Sequence, residues 1–230
     1  KQSSSPVMKD MISPMENTVY FLPNSDARQS QIYFYIPMGD YNREENVRRE
    51  AFNQYISGGF SGLIMNEIRE KNSMAYTAYG FASSRGLPGA QTYFSGYIGT
   101  QNDKAVDAID LYMKLLTDMP ERPGRIDNIK SYLRQSALTD HPDSRNLSLR
   151  IAEWKRRGYT DDPAKEELPL IDSLTFPDIV DYYQKNIKGK PIIIGVLGNP
   201  KDISIDALKK FGKVIRLNEK KLFNEKDTMF

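Results

Sequence analysis

A chain of 230 residues can bury roughly 70% of the surface it exposes when unfolded, and a hydrophobic fraction of 39% is adequate for one core without disulfide staples. The 32 basic and 30 acidic residues leave a formal charge of +2, which excludes the basic field expected of a nucleic-acid binder. No apolar run approaches the roughly 18 residues of a membrane span and no signal peptide opens the chain; the complete lack of cysteine fits a reducing compartment or a cysteine-poor bacterial periplasm.

The chain opens on Lys1 rather than Met, which implies that an upstream segment has been removed. Residues 1–15 mix Ser, Pro and Met without period and read as a linker or disordered lead; residues 16–218 read as one domain and 219–230 as a tail. Strands are predicted over Thr18 to Leu22 and Gln31 to Met38, where Ile32, Phe34 and Ile36 alternate with Tyr33 and Tyr35. Asn42 then caps a helix carrying Val47, Ala51 and Tyr55, ended by Gly58. After the Gly58-Gly59 break, Ser61 is placed to cap a helix with Leu63, Ile64 and Ile68 on its apolar stripe and Arg69 near its C-terminus. A polar turn, Lys71 to Ser73, leads into a strand over Ala75 to Ala82. A glycine- and proline-bearing loop separates this strand from another over Gln91 to Thr100, and the two read as an antiparallel pair.

The second half turns helical. Asn102 opens a helix with Val106, Ile109, Met113 and Leu116 on one stripe, broken by Pro120 to Gly124. Ile126, Ile129 and Leu133 mark a second helix; Leu147, Ile151 and Trp154 mark a third with a core-facing stripe. The third ends in Lys155-Arg156-Arg157, which complements the helix C-terminus, an anion site being the alternative. Asp161 to Glu167 reads as a polar connection, and Thr175 with Asp178 as a capping box for a helix carrying Ile179, Tyr183 and Ile187. The run Pro191 to Gly198 reads as a strand buried on both faces. It lacks the Lys-Ser/Thr of a P-loop and the full dinucleotide fingerprint, so its glycines carry no nucleotide site. A Ser204-capped helix and a short strand over Val214 to Leu217 complete the domain. The order is that of an α+β fold, a mixed and largely antiparallel sheet with helices on one face.

The segment Gly58 to Gly80, GGFSGLIMNEIREKNSMAYTAYG, carries the chemistry. It sets Arg69 and Tyr76 on either side of one tight helix-to-strand connection, where a guanidinium fork and a phenol can converge on a peptide carbonyl. From residue types alone the favoured reading is structural, with Arg69 capping its helix end and Tyr76 packing in the sheet; it is the family-like spacing described next that reverses this. The pattern of Gly58, Gly59, Ser61, Leu63, Ile68, Arg69, Glu70, Lys71, Ala75 and Tyr76 resembles the non-catalytic C-terminal half of the pitrilysin/insulinase (inverzincin) family of zinc metallopeptidases. The element order of the rest agrees with one half of a mitochondrial-processing-peptidase-type enzyme. Many members have Arg directly after the Ser, where this chain has Gly62.

The resemblance implies that Arg69 and Tyr76 bind substrate held at a zinc site in the other half, with Tyr76 donating to the carbonyl as it becomes an oxyanion. Gly58 and Gly59 serve the backbone turn, a substrate-facing glycine loop being the alternative. The family draws its zinc ligands from an H-x-x-E-H helix and a later Glu. This chain has one His and no Cys, and His141 in Asp-His-Pro-Asp reads as a turn residue. No catalytic residue and no metal ligand is therefore expected here; zinc is expected in a catalytic half, in the same chain or a separate subunit. The expected function is substrate positioning in a two-part zinc peptidase. The alternative is a non-enzymatic scaffold or assembly subunit retaining the peptidase fold.

Overall fold

The computed structural model describes residues 11–140 and 142–219. The readings of the first ten residues, of His141 and of the tail from Lys220 onwards lie outside these. Within the described part of the anticipated linker, residues 11–15 form no regular element, and the Met11 amide donates to Gln91 Oε1 at 2.6 Å.

Among the described residues six strands form one mixed sheet: β1 (Thr18–Pro23), β2 (Ser30–Asp40), β3 (Thr77–Ser83), β4 (Gln91–Thr100), β5 (Ile193–Gly198) and β6 (Lys213–Arg216), in the spatial order β3-β4-β2-β5-β1-β6. The pairs β3–β4, β4–β2 and β2–β5 are antiparallel, whereas β1 lies parallel to both β5 and β6. Register follows the alternation read from β2. Ile32 stands opposite Ile98 and Val196, and Phe34 opposite Gly96 and Ile194, so the apolar residues of neighbouring strands fall on one face. Val19, Phe21, Ile32, Phe34, Ile36, Phe94, Ile98, Ile194 and Val196 are buried there.

Helices α1 (Asn46–Ser57), α2 (Ala105–Thr117) and α6 (Phe176–Asn186) contribute the facing side chains. Phe52 of α1 meets Phe94 and Tyr182, with centroids 6.4 and 5.4 Å apart. Tyr112 of α2 stacks on Phe34 at 4.0 Å with the rings 6° from parallel. That stack needs room, which the cross-strand pair Gly80 and Gly96 supplies. A Cβ on Gly96 would lie 2.0 Å from the Tyr112 hydroxyl, and one on Gly80 2.5 Å from it. The hydroxyl passes through this notch to donate to the Tyr79 carbonyl at 3.0 Å. Further out, α3 (Ile126–Thr139) packs on α1 and on α5 (Pro163–Ser173).

Four expectations are corrected. The Pro191 to Gly198 strand is not buried on both faces: Ile193, Gly195 and Leu197 are half-buried, because they share the side opposite the helices. On that side Tyr33, Tyr79 and Phe81 stand exposed, and Tyr97 bridges Tyr33 and Tyr79 at 5.2 and 5.3 Å. The stripe of α4 (Leu147–Arg156) is not core-facing; the helix buries none of its residues, and Leu147, Leu149 and Ile151 are exposed. The polar stretch Asp161 to Glu167 is the start of α5, with Asp162 accepting from the Ala164 amide at 2.9 Å and Pro163 in the first turn. The fourth concerns the helix behind Arg69, a π-helix, described next.

The edge of β3 is closed from α1. Asn53 Oδ1 accepts from the Ala82 amide at 2.7 Å while its Nδ2 donates to the Ala82 carbonyl at 3.1 Å, and the Ser57 hydroxyl accepts from the Gly80 amide at 2.8 Å. Side chains thus satisfy the groups that another strand would otherwise take.

Candidate functional site

After α1 the chain makes a 3-10 turn over Gly59–Ser61 and then a π-helix over Met65–Lys71. Gly59 has φ +59°, and a Cβ on Gly58 would lie 2.3 Å from the Gln54 carbonyl oxygen, so both glycines answer to the turn. Ser61 does not cap the next helix; its hydroxyl donates back to the Gly58 carbonyl at 3.1 Å. Ile68 is fully buried, holding the π-helix to the core. Glu67 accepts from Lys71 Nζ at 2.9 Å and from Arg122 of the α2–α3 connection. The i→i+5 bonding fits more residues into each turn than an α-helix does, so each residue rotates less and Arg69 is set back around the axis relative to the anticipated helix.

The π-helix ends without help from the Arg69 side chain. The Arg69 carbonyl accepts from the Ser73 amide, the Ile68 carbonyl from the Met74 amide, both at 2.9 Å, and the Glu67 carbonyl from Asn72 Nδ2 at 2.6 Å. The Arg69 guanidinium is half-exposed, its ion pair with the adjacent Glu70 a long 3.6 Å. The turn is tight enough to place Ser73 at φ 51°, a left-handed conformation uncommon for any residue but glycine. It is tied to the end of β4: the Thr100 hydroxyl donates to the Met74 carbonyl, and Lys104 Nζ to the Ser73 carbonyl at 3.3 Å. The Tyr76 amide then donates to the Gly99 carbonyl at 2.9 Å, just ahead of β3.

The outcome is one open cleft of about 360 Å³ lined by Arg69, Glu70, Ser73–Tyr76, Thr100, Gln101 and Lys104. Arg69 and Tyr76 therefore share a wall, as their spacing suggested; Gly58 and Gly59 do not line it. Thr100, Gln101 and Lys104 were missed in the sequence, where they lie well beyond the signature segment, Gln101 being 25 residues from Tyr76. The Tyr76 ring is 53% exposed and its hydroxyl oxygen accepts from Gln101 Nε2 at 3.1 Å. On the aromatic side of the sheet, burial and the phenols of Tyr33 and Tyr79 push the Tyr97 hydroxyl above its ordinary range. Among the described residues, no three His, Asp or Glu side chains gather as a metal-ion group.

Residues 9–123 match the family model described as the peptidase M16 inactive domain. The chain belongs to the peptidase M16 family. No curated protein matches its sequence. Solved structures similar to this M16 domain include a peptidase M16 inactive domain from Pseudomonas fluorescens, at TM-score 0.68 and 15% identity over 85% of this chain and 47% of that one. The periplasmic protease PqqL from Escherichia coli gives 0.65 and 16% over 86% of this chain and 22% of its own. A chain of Complex III2 from Candida albicans gives 0.61 and 14% over 87% and 50%. At these identities the likeness is one of fold, and it bears out the α+β arrangement of an M16 C-terminal domain. The M16 domain spans about half the length, or less, of the chains it matches. Among the described residues no helix is long and apolar enough to cross a membrane.

Proposed function

We propose that this chain is the substrate-positioning half of a two-part zinc peptidase, with zinc held by an H-x-x-E-H-bearing half in the same polypeptide or a second subunit. The observation that carries this reading is the shared cleft: a half-exposed Arg whose helix carbonyls already have partners faces the same space as an exposed phenol on a pinned backbone. Arg69 can offer a fork of N–H donors to peptide carbonyls or a carboxylate, and Tyr76 one O–H donor to a single carbonyl oxygen. The zinc of the other half would supply the Lewis acid and the activated water; this chain orients the peptide and stabilises the developing negative charge on its oxygen.

The test is reconstitution. The chain purified alone is expected to hold no stoichiometric zinc and to cleave no peptide, and to gain activity when mixed with or linked to the zinc-bearing half. In that assembly Tyr76→Phe lowers kcat by roughly 10² or more, while Tyr79→Phe, on the aromatic side of the sheet, is near neutral. Arg69→Lys keeps the charge and loses the fork, raising KM or lowering kcat. Wild-type turnover in both Tyr76→Phe and Arg69→Lys would return these residues to structural roles. The scaffold alternative would then stand, supported by the likeness to a chain of a Complex III2 structure; a partner gene product lacking H-x-x-E-H would favour it as well.

A further inference from the structure

A phenol that stabilises an oxyanion has to spend its single proton on the substrate, so any neighbour that accepts that proton competes with catalysis. The Tyr76 hydroxyl has a neighbour of the opposite kind. Gln101 Nε2 donates to Tyr76 Oη at 3.1 Å, occupying a lone pair and leaving the proton free.

Gln101 stands on a fixed stretch of backbone. Thr100 before it is buried, its hydroxyl bonded to the Met74 carbonyl. Asn102 after it is buried at the centre of a polar hub: its Oδ1 accepts from the Ser30 hydroxyl at 2.7 Å and the Asn199 amide at 3.2 Å, and its Nδ2 donates to the Ala27 carbonyl at 2.8 Å. Gly198 makes room for the hub, since a Cβ there would lie 2.6 Å from Ser30 Oγ and 3.1 Å from Asn102 Oδ1. The glycine at the end of the apolar strand therefore serves the base on which Gln101 rests.

We propose that Gln101 is a positioning residue for Tyr76, orienting the phenol so that its proton faces the peptide oxygen. This rests on the substrate-positioning reading above. It acts by donation, so reversing the polarity of residue 101 should matter more than shortening it. In Gln101→Glu the introduced carboxylate accepts the Tyr76 proton and withdraws it from the substrate; once protonated, that carboxyl group can donate as the Gln101 amide does.

The experiment measures binding of an alanine-based phosphinic hexapeptide, a tetrahedral anion in place of one peptide bond, to the full chain by calorimetry between pH 7.5 and pH 4. Circular dichroism at each pH verifies folding. Tyr76→Phe is expected to weaken binding about tenfold, the value of one hydrogen bond to a charged group. Gln101→Glu should match that loss at pH 7.5 and recover as pH falls through the ordinary glutamate range near 4. Gln101→Leu should lose a smaller factor, about threefold, with no pH dependence beyond that of wild type. In a Tyr76→Phe background Gln101→Glu should add nothing. An equal pH-dependent loss in that background would show plain repulsion between the introduced carboxylate and the phosphinate, and would overturn the proposal. Wild-type binding in Gln101→Glu beside weakened binding in Tyr76→Phe would overturn the role of Gln101 alone. Absence of binding to the wild type, or equal binding to Tyr76→Phe, would remove the substrate-positioning reading and this proposal with it.

Discussion

Gly96→Ala probes how β3, and with it the Tyr76 end of the cleft, is held to the helices. The added Cβ would lie 2.0 Å from the Tyr112 hydroxyl oxygen and 2.7 Å from Cζ. To restore van der Waals separation, the fully buried ring must withdraw by well over an ångström, leaving its 4.0 Å stack on Phe34 and its 3.0 Å bond to the Tyr79 carbonyl. A lost buried hydrogen bond costs about 1–3 kcal/mol and overpacking about 1–3 kcal/mol more, so a destabilisation of about 3–5 kcal/mol is expected. At this chain length that lowers Tm by roughly 6–20 °C. Tyr112→Phe alone loses only the hydroxyl and should cost about 1–2 kcal/mol. It also removes the nearest clashing atom, leaving Cζ at 2.7 Å, so Gly96→Ala should cost at least about 1 kcal/mol less in the Tyr112→Phe background. Urea unfolding followed by far-ultraviolet circular dichroism gives all four stabilities. Additive effects, or a Gly96→Ala cost below about 1 kcal/mol, would refute the notch.

Three further outcomes follow from the same structure. Burial alone would raise the Asp178 carboxyl, but bonds from the Thr175 hydroxyl and amide and the Arg48 guanidinium outweigh it and hold it below the usual aspartate range. Its folded pKa being depressed, its contribution is complete above the unfolded value near 4 and is lost as pH falls through the folded one. Asp178→Asn should therefore cost about 1 kcal/mol at pH 7 and progressively less below pH 4, read from urea midpoints across pH. Ser73→Gly should be neutral or stabilising by up to about 1 kcal/mol, because glycine takes positive φ freely, while Ser73→Val destabilises by about 1–2 kcal/mol; thermal melts that reverse this order would contradict the turn. Glu67→Ala should speed amide exchange over residues 65–71 and cost about 1–2 kcal/mol by releasing Arg122 and Lys71, with unchanged exchange counting against the brace.

Much of the fold was legible because it is written in short windows. The alternation of Ile32, Phe34 and Ile36 set the buried face of β2, the Thr175–Asp178 pair formed the capping box it resembled, and the seven-residue spacing of Arg69 and Tyr76 marked the segment that now lines the cleft. Where local signals conflicted, reading failed: α5 carries its Asp162-Pro163 start in plain view, but its charged first turn and internal Pro169 read as a connection. Composition also could not say that the stripe of α4 would stay exposed, since a stripe records only what a helix can bury. The π-register of Met65–Lys71 has no sequence period of its own; it depends on anchoring Ile68 in the core and Glu67 against Arg122, 55 residues away. The bond from Gln101 to Tyr76 likewise exists only because antiparallel pairing of β3 and β4 carries the end of one strand beside the start of the other. Caps and alternation are short-range preferences that each segment expresses by itself, whereas the cleft is made of contacts that close only when the sheet register brings distant backbone together.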